Sequence, residues 1–169
     1  MFVQEVLRLL AAEPELARGS ALPIPHGVRE VIRQRLGLLD DASVRLLDVA
    51  SVIGVEFERA VLSATARTGE TDVASAIAHA RKVGVLVDAG GGRERFGHAL
   101  IRDAIYNDLP ASRRVELHAA VADALERSHP DDPPLSEVAH HTILAGPAEA
   151  DRLVDRSIRA ARAFSDAYA

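Results

Sequence analysis

The junction at residues 93–109, RERFGHALIRDAIYNDL, contains the side chains best suited to chemistry in this chain. His98 follows a glycine at the start of an amphipathic segment, and Arg102 lies one helical turn later. At this position His98 could be a ligand, and Arg102 could assist with an anion. The alternatives are structural: helix-start hydrogen bonding or packing for His98, and a surface ion pair with Asp103 or its neighbours for Arg102.

The other histidines and carboxylates do not form a catalytic or metal-binding pattern. Neighbouring side chains on a helix point about 100° apart, so His140 and His141 are not expected to share a metal ion. We expect one of them to pack and the other to be solvated. The remaining candidates are also interpreted as structural, and they are His79, His118, the cap pair Asp40–Asp41 and the loop pair Asp131–Asp132. No catalytic residue and no metal site is predicted.

Composition narrows the class of protein. Hydrophobic residues make up 48% of the 169 residues but aromatic residues only 4%, which favours a core of close-packed helices. There is no cysteine, so disulfides and thiolate metal sites are excluded. A net charge of −5 argues against a general nucleic-acid binder. The absence of a signal-like or membrane-spanning segment predicts a cytoplasmic location and no membrane partner.

Apolar spacing and punctuation residues predict the elements of the first unit. Helices are expected over 28–36, from Asp40–Asp41 to Gly54, over 59–67, and from a cap at Thr71 or Asp72 to Gly84. A β-hairpin follows, with strands at 85–87 and 93–96 and a glycine-rich turn at 89–92. A further helix ends near Pro110. Within bounds of about 25–110, this region contains the order of three helices, a hairpin and a further helix that is the pattern of a winged-helix domain.

The chain after Pro110 reads as helical hairpins. Apolar stripes mark helices around 117–125, 135–142 and 153–161, and the last one reaches the C-terminus without a stop signal. An alanine-rich, unfinished helix pair resembles the first unit of a TPR-like repeat array, so 111–169 is interpreted as a truncated TPR-like region. Residues 1–24 are interpreted as a short helix and a proline-containing linker. The predicted fold class is mainly α.

Four segments together resemble a known family: FVQEVLRLL, PIPHGVREVIRQRLGLLDDASVRLLDVASVIGVEF, GVLVDAGGGRERFGHALIRDAIYNDLPASRRVELHAAVADALE and EVAHHTILAGPAEADRLVDRSIRAAR. In this order they resemble the STAND-class regulatory ATPases of bacteria, which are large ATP-binding LuxR-family transcriptional regulators and adenylate cyclase-associated ATPases. The resemblance implies the region after the nucleotide-binding core: the end of a lid helix (1–24), the winged helix (25–110) and the start of a sensor (111–169). It also implies that His98 contacts the β-phosphate of ADP, with Arg102 assisting.

The resemblance implies a non-catalytic regulatory module of a transcriptional regulator or signalling ATPase. No G-x-x-x-x-G-K-[ST] loop occurs, so this chain is expected to hold no cofactor and to hydrolyse no ATP alone; ATP or ADP would belong to the full-length protein. Met1 stands where the relatives read Gly-Asn-Pro-Phe, so an excised segment or a truncated reading frame is expected. Expected partners are an upstream nucleotide-binding domain, a downstream helical sensor and a second copy through apolar helices, with DNA bound only by an absent domain.

Two other functions stay open. A winged helix can bind DNA directly, with 71–83 as the recognition helix and contacts from Arg81, Lys82, Arg93 and Arg95. Residues 93–114 contain five arginines against three acidic residues, a net charge of +2, which is small for a specific DNA binder. The third possibility is a protein–protein interaction scaffold whose exposed apolar helix faces bind a partner.

Overall fold

Seven helices and three short strands make up the part of the chain that the structure describes. This computed structural model describes residues 26–146, together with Val154 and Ile158. The helices are α1 (His26–Leu36), α2 (Asp41–Ile53), α3 (Arg59–Ala66), α4 (Glu70–Lys82), α5 (Ala99–Asp108), α6 (Ala111–Ser128) and α7 (Leu135–Leu144). The strands are β1 (Glu56–Glu58), β2 (Leu86–Gly90) and β3 (Arg93–Phe96). The fold is mainly helical with a small antiparallel sheet.

Two predicted segments fall outside this part of the chain. The short helix and linker predicted for residues 1–24 lie outside the described residues. Most of the helix predicted around 153–161 does too, although Val154 and Ile158 are themselves helical. The domain bounds at 24/25, at 110/111 and at 169 stay predictions.

Helix α2 is the central element of the core. The Asp40 carboxylate accepts a 2.7 Å hydrogen bond from the backbone N–H of Ser43, which satisfies one of the free donors at the helix start. The helix ends at Ile53, and Gly54 follows as its C-cap. Its buried apolar residues include Leu46, Leu47, Val49, Ala50 and Val52. These residues let α2 contact α3, α4, α5 and α6, so the surrounding helices are positioned by one apolar helix.

The sheet contains one strand that the sequence analysis did not predict. Strand β1 pairs with β3, which also pairs with β2, so the order is β1-β3-β2 and both pairings are antiparallel. Strand β2 is longer than the predicted 85–87, and a register shift at Asp88/Gly90 accommodates the glycines of the turn. The rings of Phe57 on β1 and Phe96 on β3 lie 5.9 Å apart, centroid to centroid. Both side chains are buried and pack the sheet against the core.

The start of α4 differs from the prediction. Neither Thr71 nor Asp72 is the N-cap, because the helix begins at Glu70 and Gly69 occupies the cap position. The carbonyl of Gly69 accepts a 3.1 Å hydrogen bond from the backbone N–H of Val73, which closes the first turn earlier than the polar residues suggested. Glu70 and Asp72 then lie in the first turn, where negative charge interacts favourably with the helix dipole.

Helices α6 and α7 form a packed pair behind the first unit. Leu117, Val121, Leu125 and Val138 are buried between them and the central core. The connecting segment at 129–134 is HPDDPP, whose prolines cannot continue a helix. At the end of α7, adjacent residues Ile143 and Leu144 are exposed. None of the described helices has the length and apolar character needed to cross a bilayer.

Candidate functional site

His98 is the N-cap residue of α5, immediately after strand β3. Its backbone is extended, at φ −152° and ψ 142°, and its Nδ1 accepts a 3.2 Å hydrogen bond from the backbone N–H of Leu100. The first N–H groups of a helix have no partner within the helix, so this bond satisfies one of them. The cap holds the imidazole at the mouth of the helix, and the side chain is half-buried.

The cap also determines which ring nitrogen of His98 can donate. A neutral imidazole has one donor and one acceptor nitrogen, so acceptance at Nδ1 leaves the proton on Nε2. Among the described residues Nε2 has no hydrogen-bond partner. The result is an N–H donor fixed beside the positive end of a helix dipole, which is suitable chemistry for an anionic oxygen.

Gly97 brings β3 and α5 close to the end of α4. Its backbone N–H donates a 2.9 Å hydrogen bond to the carbonyl of Val85. A Cβ at Gly97 would lie 3.0 Å from the carbonyl oxygen of Gly84, a backbone atom that cannot rotate away. Gly84 itself has φ +72°, a conformation that favours glycine. The Gly-His pair therefore has two separate roles, close backbone approach at Gly97 and helix capping at His98.

Arg102 lies on the same helix but is held by structural contacts. Its Nε donates a 2.6 Å hydrogen bond to the carbonyl of Ser51 on α2, and its Nη1 lies 3.1 Å from the Asp103 carboxylate. The guanidinium also lies over the ring of Tyr106, 4.4 Å from its centroid. These contacts attach α5 to α2. They match the structural alternative for Arg102, with Asp103 as its ion-pair partner.

Two of the four basic residues considered for DNA contact are neutralised by carboxylates. Arg81 forms ion pairs with Glu94 at 2.7 Å and Asp88 at 3.1 Å. Arg93 forms ion pairs with Glu56 at 2.8 Å and Glu58 at 3.2 Å.

The other two basic residues are available to solvent. Lys82 and Arg95 are exposed, with no ion pair inside the described ranges. The start of α4 contributes the acidic residues Glu70 and Asp72. Of the four residues considered for DNA contact, only these two separate side chains are therefore without an ion pair among the described residues, which is a weak basis for phosphate contacts.

His118 and His141, referred to below as the histidine pair, form an interaction that the sequence analysis missed. Their Nδ1 atoms lie 2.8 Å apart, and the Nε2 of His118 lies 3.0 Å from the hydroxyl of Tyr106. The side chains are 2% and 4% exposed, whereas the neighbouring His140 is exposed. The structure thus has one packed and one solvated residue at 140–141, as predicted.

Burial determines the protonation of the histidine pair. It lowers the pKa of His118 to about 4, with smaller contributions from the charges of His140, Arg102 and Arg114. Burial, followed by the charge of His118, lowers the pKa of His141 to about 3. Both imidazoles are therefore neutral at pH 7. Within the residues that the structure describes, no group of three or more histidine or carboxylate side chains is placed to hold a metal ion.

Comparisons with models of known protein families, with curated proteins and with solved structures give no match.

Proposed function

We propose that this chain is a non-catalytic regulatory module that relays the nucleotide state of an ATP-binding core to a helical sensor region. The observation that carries the proposal is the cap geometry of His98, which fixes an Nε2–H donor at the start of α5. A β-phosphate presented by a core elsewhere in the protein or in a partner would accept this hydrogen bond. The biological setting implied is an ATP-dependent LuxR-type regulator or a signalling ATPase of bacteria.

The order of the elements supports a winged-helix assignment for the first unit. Helix α2, strand β1, helices α3 and α4, and the β2–β3 hairpin follow one another with the strand order β1-β3-β2. This is the element order expected of a winged helix, with β2–β3 as the wing. The packing of α6 on α7 similarly supports a TPR-like hairpin after residue 110. In this proposal the winged helix is an intramolecular clamp rather than a DNA reader.

Helix α5 offers a physical route from the nucleotide to the sensor. His98 caps its first residue, and Tyr106, two turns later, lies 3.0 Å from His118 on α6. A change in the position of His98 on loss of the phosphate would move a rigid helix that contacts both units. A displacement of α5 relative to α2 would therefore be sufficient to transmit the nucleotide state from His98 to the sensor region, without the movement of a loop.

Retention of ADP by the protein in its natural setting tests the proposal. The chromosomal gene is tagged in its own host, and ADP bound per purified chain is measured after denaturation for the wild type, His98→Ala and His98→Asn. Asparagine can still cap the helix but lacks the imidazole donor, so it separates nucleotide contact from helix stability. We expect bound ADP in the wild type and retention weakened by about tenfold to a hundredfold in both variants.

His79→Ala is the matched control, because His79 is an exposed histidine on α4 whose hydrogen-bond partner is Asp40 and not a residue of the capped junction. Its variant should retain ADP like the wild type. Wild-type protein without ADP, or His98→Asn protein with undiminished ADP, would remove the nucleotide role of His98.

One observation favours a second function, that of an interaction scaffold. Ile143 and Leu144 at the end of α7 are 61% and 41% exposed, and such adjacent apolar residues commonly contact another protein surface. A downstream helix or a second copy of the chain would cover them. Sedimentation of the wild type and of Ile143→Glu protein at matched concentrations tests whether self-association uses this surface.

A further inference from the structure

A chain of hydrogen bonds through the histidine pair crosses the boundary between the two units. Tyr106 on α5 contacts His118 on α6, and His118 contacts His141 on α7. The backbone of Ile53 at the end of α2 also acts on His141, where it favours a proton on the ring. Side chains of three helices thus meet in one chain of polar contacts, next to the end of α2.

In the neutral pair one Nδ1 carries a proton and donates it, and the other Nδ1 accepts. When His118 donates from Nδ1, its Nε2 accepts from the hydroxyl of Tyr106; when His141 donates, the Nε2 of His118 carries the proton and donates to that hydroxyl. Every bond in the chain is made when both rings are neutral, so a buried polar group is satisfied at each step.

Protonation is incompatible with this arrangement. The first added proton places a cation in the interior, where the side chains are at most 4% exposed. The second leaves an N–H on each of two nitrogens that lie 2.8 Å apart, so neither can accept. Only the neutral pair therefore keeps all of its hydrogen bonds without placing a charge in the interior.

The charges around the pair increase the cost of a proton. Arg102 from α5, Arg114 from α6 and His140 from α7 all oppose a positive charge there, and α2 contributes a backbone carbonyl. Asp103 is held 3.1 Å from Arg102 and so neutralises that arginine instead of the pair. No carboxylate is among the groups that act on the two imidazoles, and only the backbone of Ile53 favours the added proton there.

The geometry points to an acid-sensitive latch: the histidine pair holds α6 and α7 on the α2–α5 unit while both rings are neutral, and protonation releases them. The latch is independent of the nucleotide role proposed for His98. It makes the junction between the two units the first part of the fold to open as the pH falls. A regulatory response to acidification follows from the same contacts that hold the units together at neutral pH.

The sign and size of the effect follow from proton linkage. Histidine titrates at 6.5 in the unfolded chain, and the folded pKa values are about 4 and about 3. The stabilisation is therefore fully present well above pH 6.5, and it is lost as the pH falls, because the open chain binds protons that the closed pair excludes. Two such groups raise the opening equilibrium constant by about a hundredfold between pH 7.5 and 5.5.

Unfolding equilibria of the double variant His118→Gln/His141→Gln test the latch. Glutamine can hydrogen-bond but does not titrate. Between pH 7.5 and 5.5 we therefore expect the unfolding constant of the double variant to rise about a hundredfold less than that of the wild type. His140→Gln is the control, because His140 is adjacent but exposed, and it should follow the wild type. An equal pH dependence in the wild type and the double variant would overturn the latch.

Hydrogen exchange of the wild-type chain locates the opening and does not depend on a folded variant. At pH 5.5, corrected for intrinsic exchange, peptides from α7 should lose protection before peptides from α2. Imidazole resonances should show two histidines that stay neutral at this pH in the closed protein. Simultaneous loss of protection in α2 and α7, or titration of all seven histidines near pH 6.5, would contradict local release.

Discussion

Arg81 and Glu94 form a two-point ion pair between helix α4 and strand β3. The Nε of Arg81 lies 2.8 Å from one carboxylate oxygen, and its Nη2 lies 2.7 Å from the other. The Nε of Arg59 lies 2.7 Å from the same carboxylate, whose side chain is fully buried. A single glutamate on the central strand thus joins α3, α4 and the sheet.

Replacement of Glu94 by glutamine should destabilise the chain strongly. The variant removes the negative charge that Arg59 and Arg81 share at the fully buried Glu94 side chain, and we expect a loss of about 3 kcal/mol in the free energy of unfolding. Urea denaturation at pH 7 measures it. Glu56→Gln is the control, because Glu56 is 44% exposed on the neighbouring strand and its loss should cost less than about 1 kcal/mol. A similar loss in the two variants would mean that burial of Glu94 has no energetic importance.

The ion pairs of Arg81 and Arg93 lead to a prediction about DNA. Because Arg81 and Arg93 are occupied by carboxylates, we expect no binding of a 30-base-pair duplex tighter than about 10 µM at physiological salt. Fluorescence anisotropy against salt concentration measures this. The Lys82→Ala/Arg95→Ala variant removes the two candidate DNA contacts that form no ion pair among the described residues. Tighter wild-type binding that falls steeply with salt and disappears in this variant would instead support the DNA-binding function.

Apolar spacing was sufficient to predict most described helices, because it reports directly on the face that each helix buries. Helix α2 begins after Asp40 and ends before Gly54, as its cap and its terminal glycine predict. Strand β1 escaped detection because three residues, Glu-Phe-Glu, are too short to show an alternating pattern. Its inward residue Phe57 is buried in the core, where β1 pairs with β3.

The polar interior was much harder to predict than the helices. Glu94 alternates with two arginines in the sequence, so it reads as a solvated wing residue, yet its position on β3 faces the core. His118 and His141 are 23 positions apart, and only the packing of α6 on α7 brings them together. Long-range pairs of this kind leave no local pattern in a single sequence. For His98, by contrast, the local signal placed the residue correctly at the start of a helix.

Gly97→Ala should be destabilising although Gly97 is itself exposed and has an ordinary backbone conformation. The added methyl would meet the Gly84 carbonyl oxygen at 3.0 Å. The backbone on the two sides of this contact is held together by the hydrogen bond from Gly97 to the adjacent carbonyl of Val85. Relief requires the end of α4 to move away from β3, at a cost of about 1–3 kcal/mol. Thermal unfolding measures the change. Gly37→Ala is the control, because a Cβ at Gly37 meets its nearest atom at 3.4 Å, an ordinary contact distance. A loss of stability no larger in Gly97→Ala than in this control would refute the close-approach role.

His98→Ala should cost about 1 kcal/mol of unfolding free energy, because the N–H of Leu100 loses its side-chain acceptor at the start of α5. His98→Asn should recover most of that loss, since asparagine is a preferred cap residue. Urea denaturation of the two variants measures the cap alone, whereas ADP retention measures the imidazole. The two readouts separate the two functions of one side chain: a stable His98→Asn protein that no longer retains ADP is the expected result. Equal stability of the alanine and wild-type chains would mean that the cap bond is energetically unimportant, and α5 would then offer no fixed donor to a phosphate.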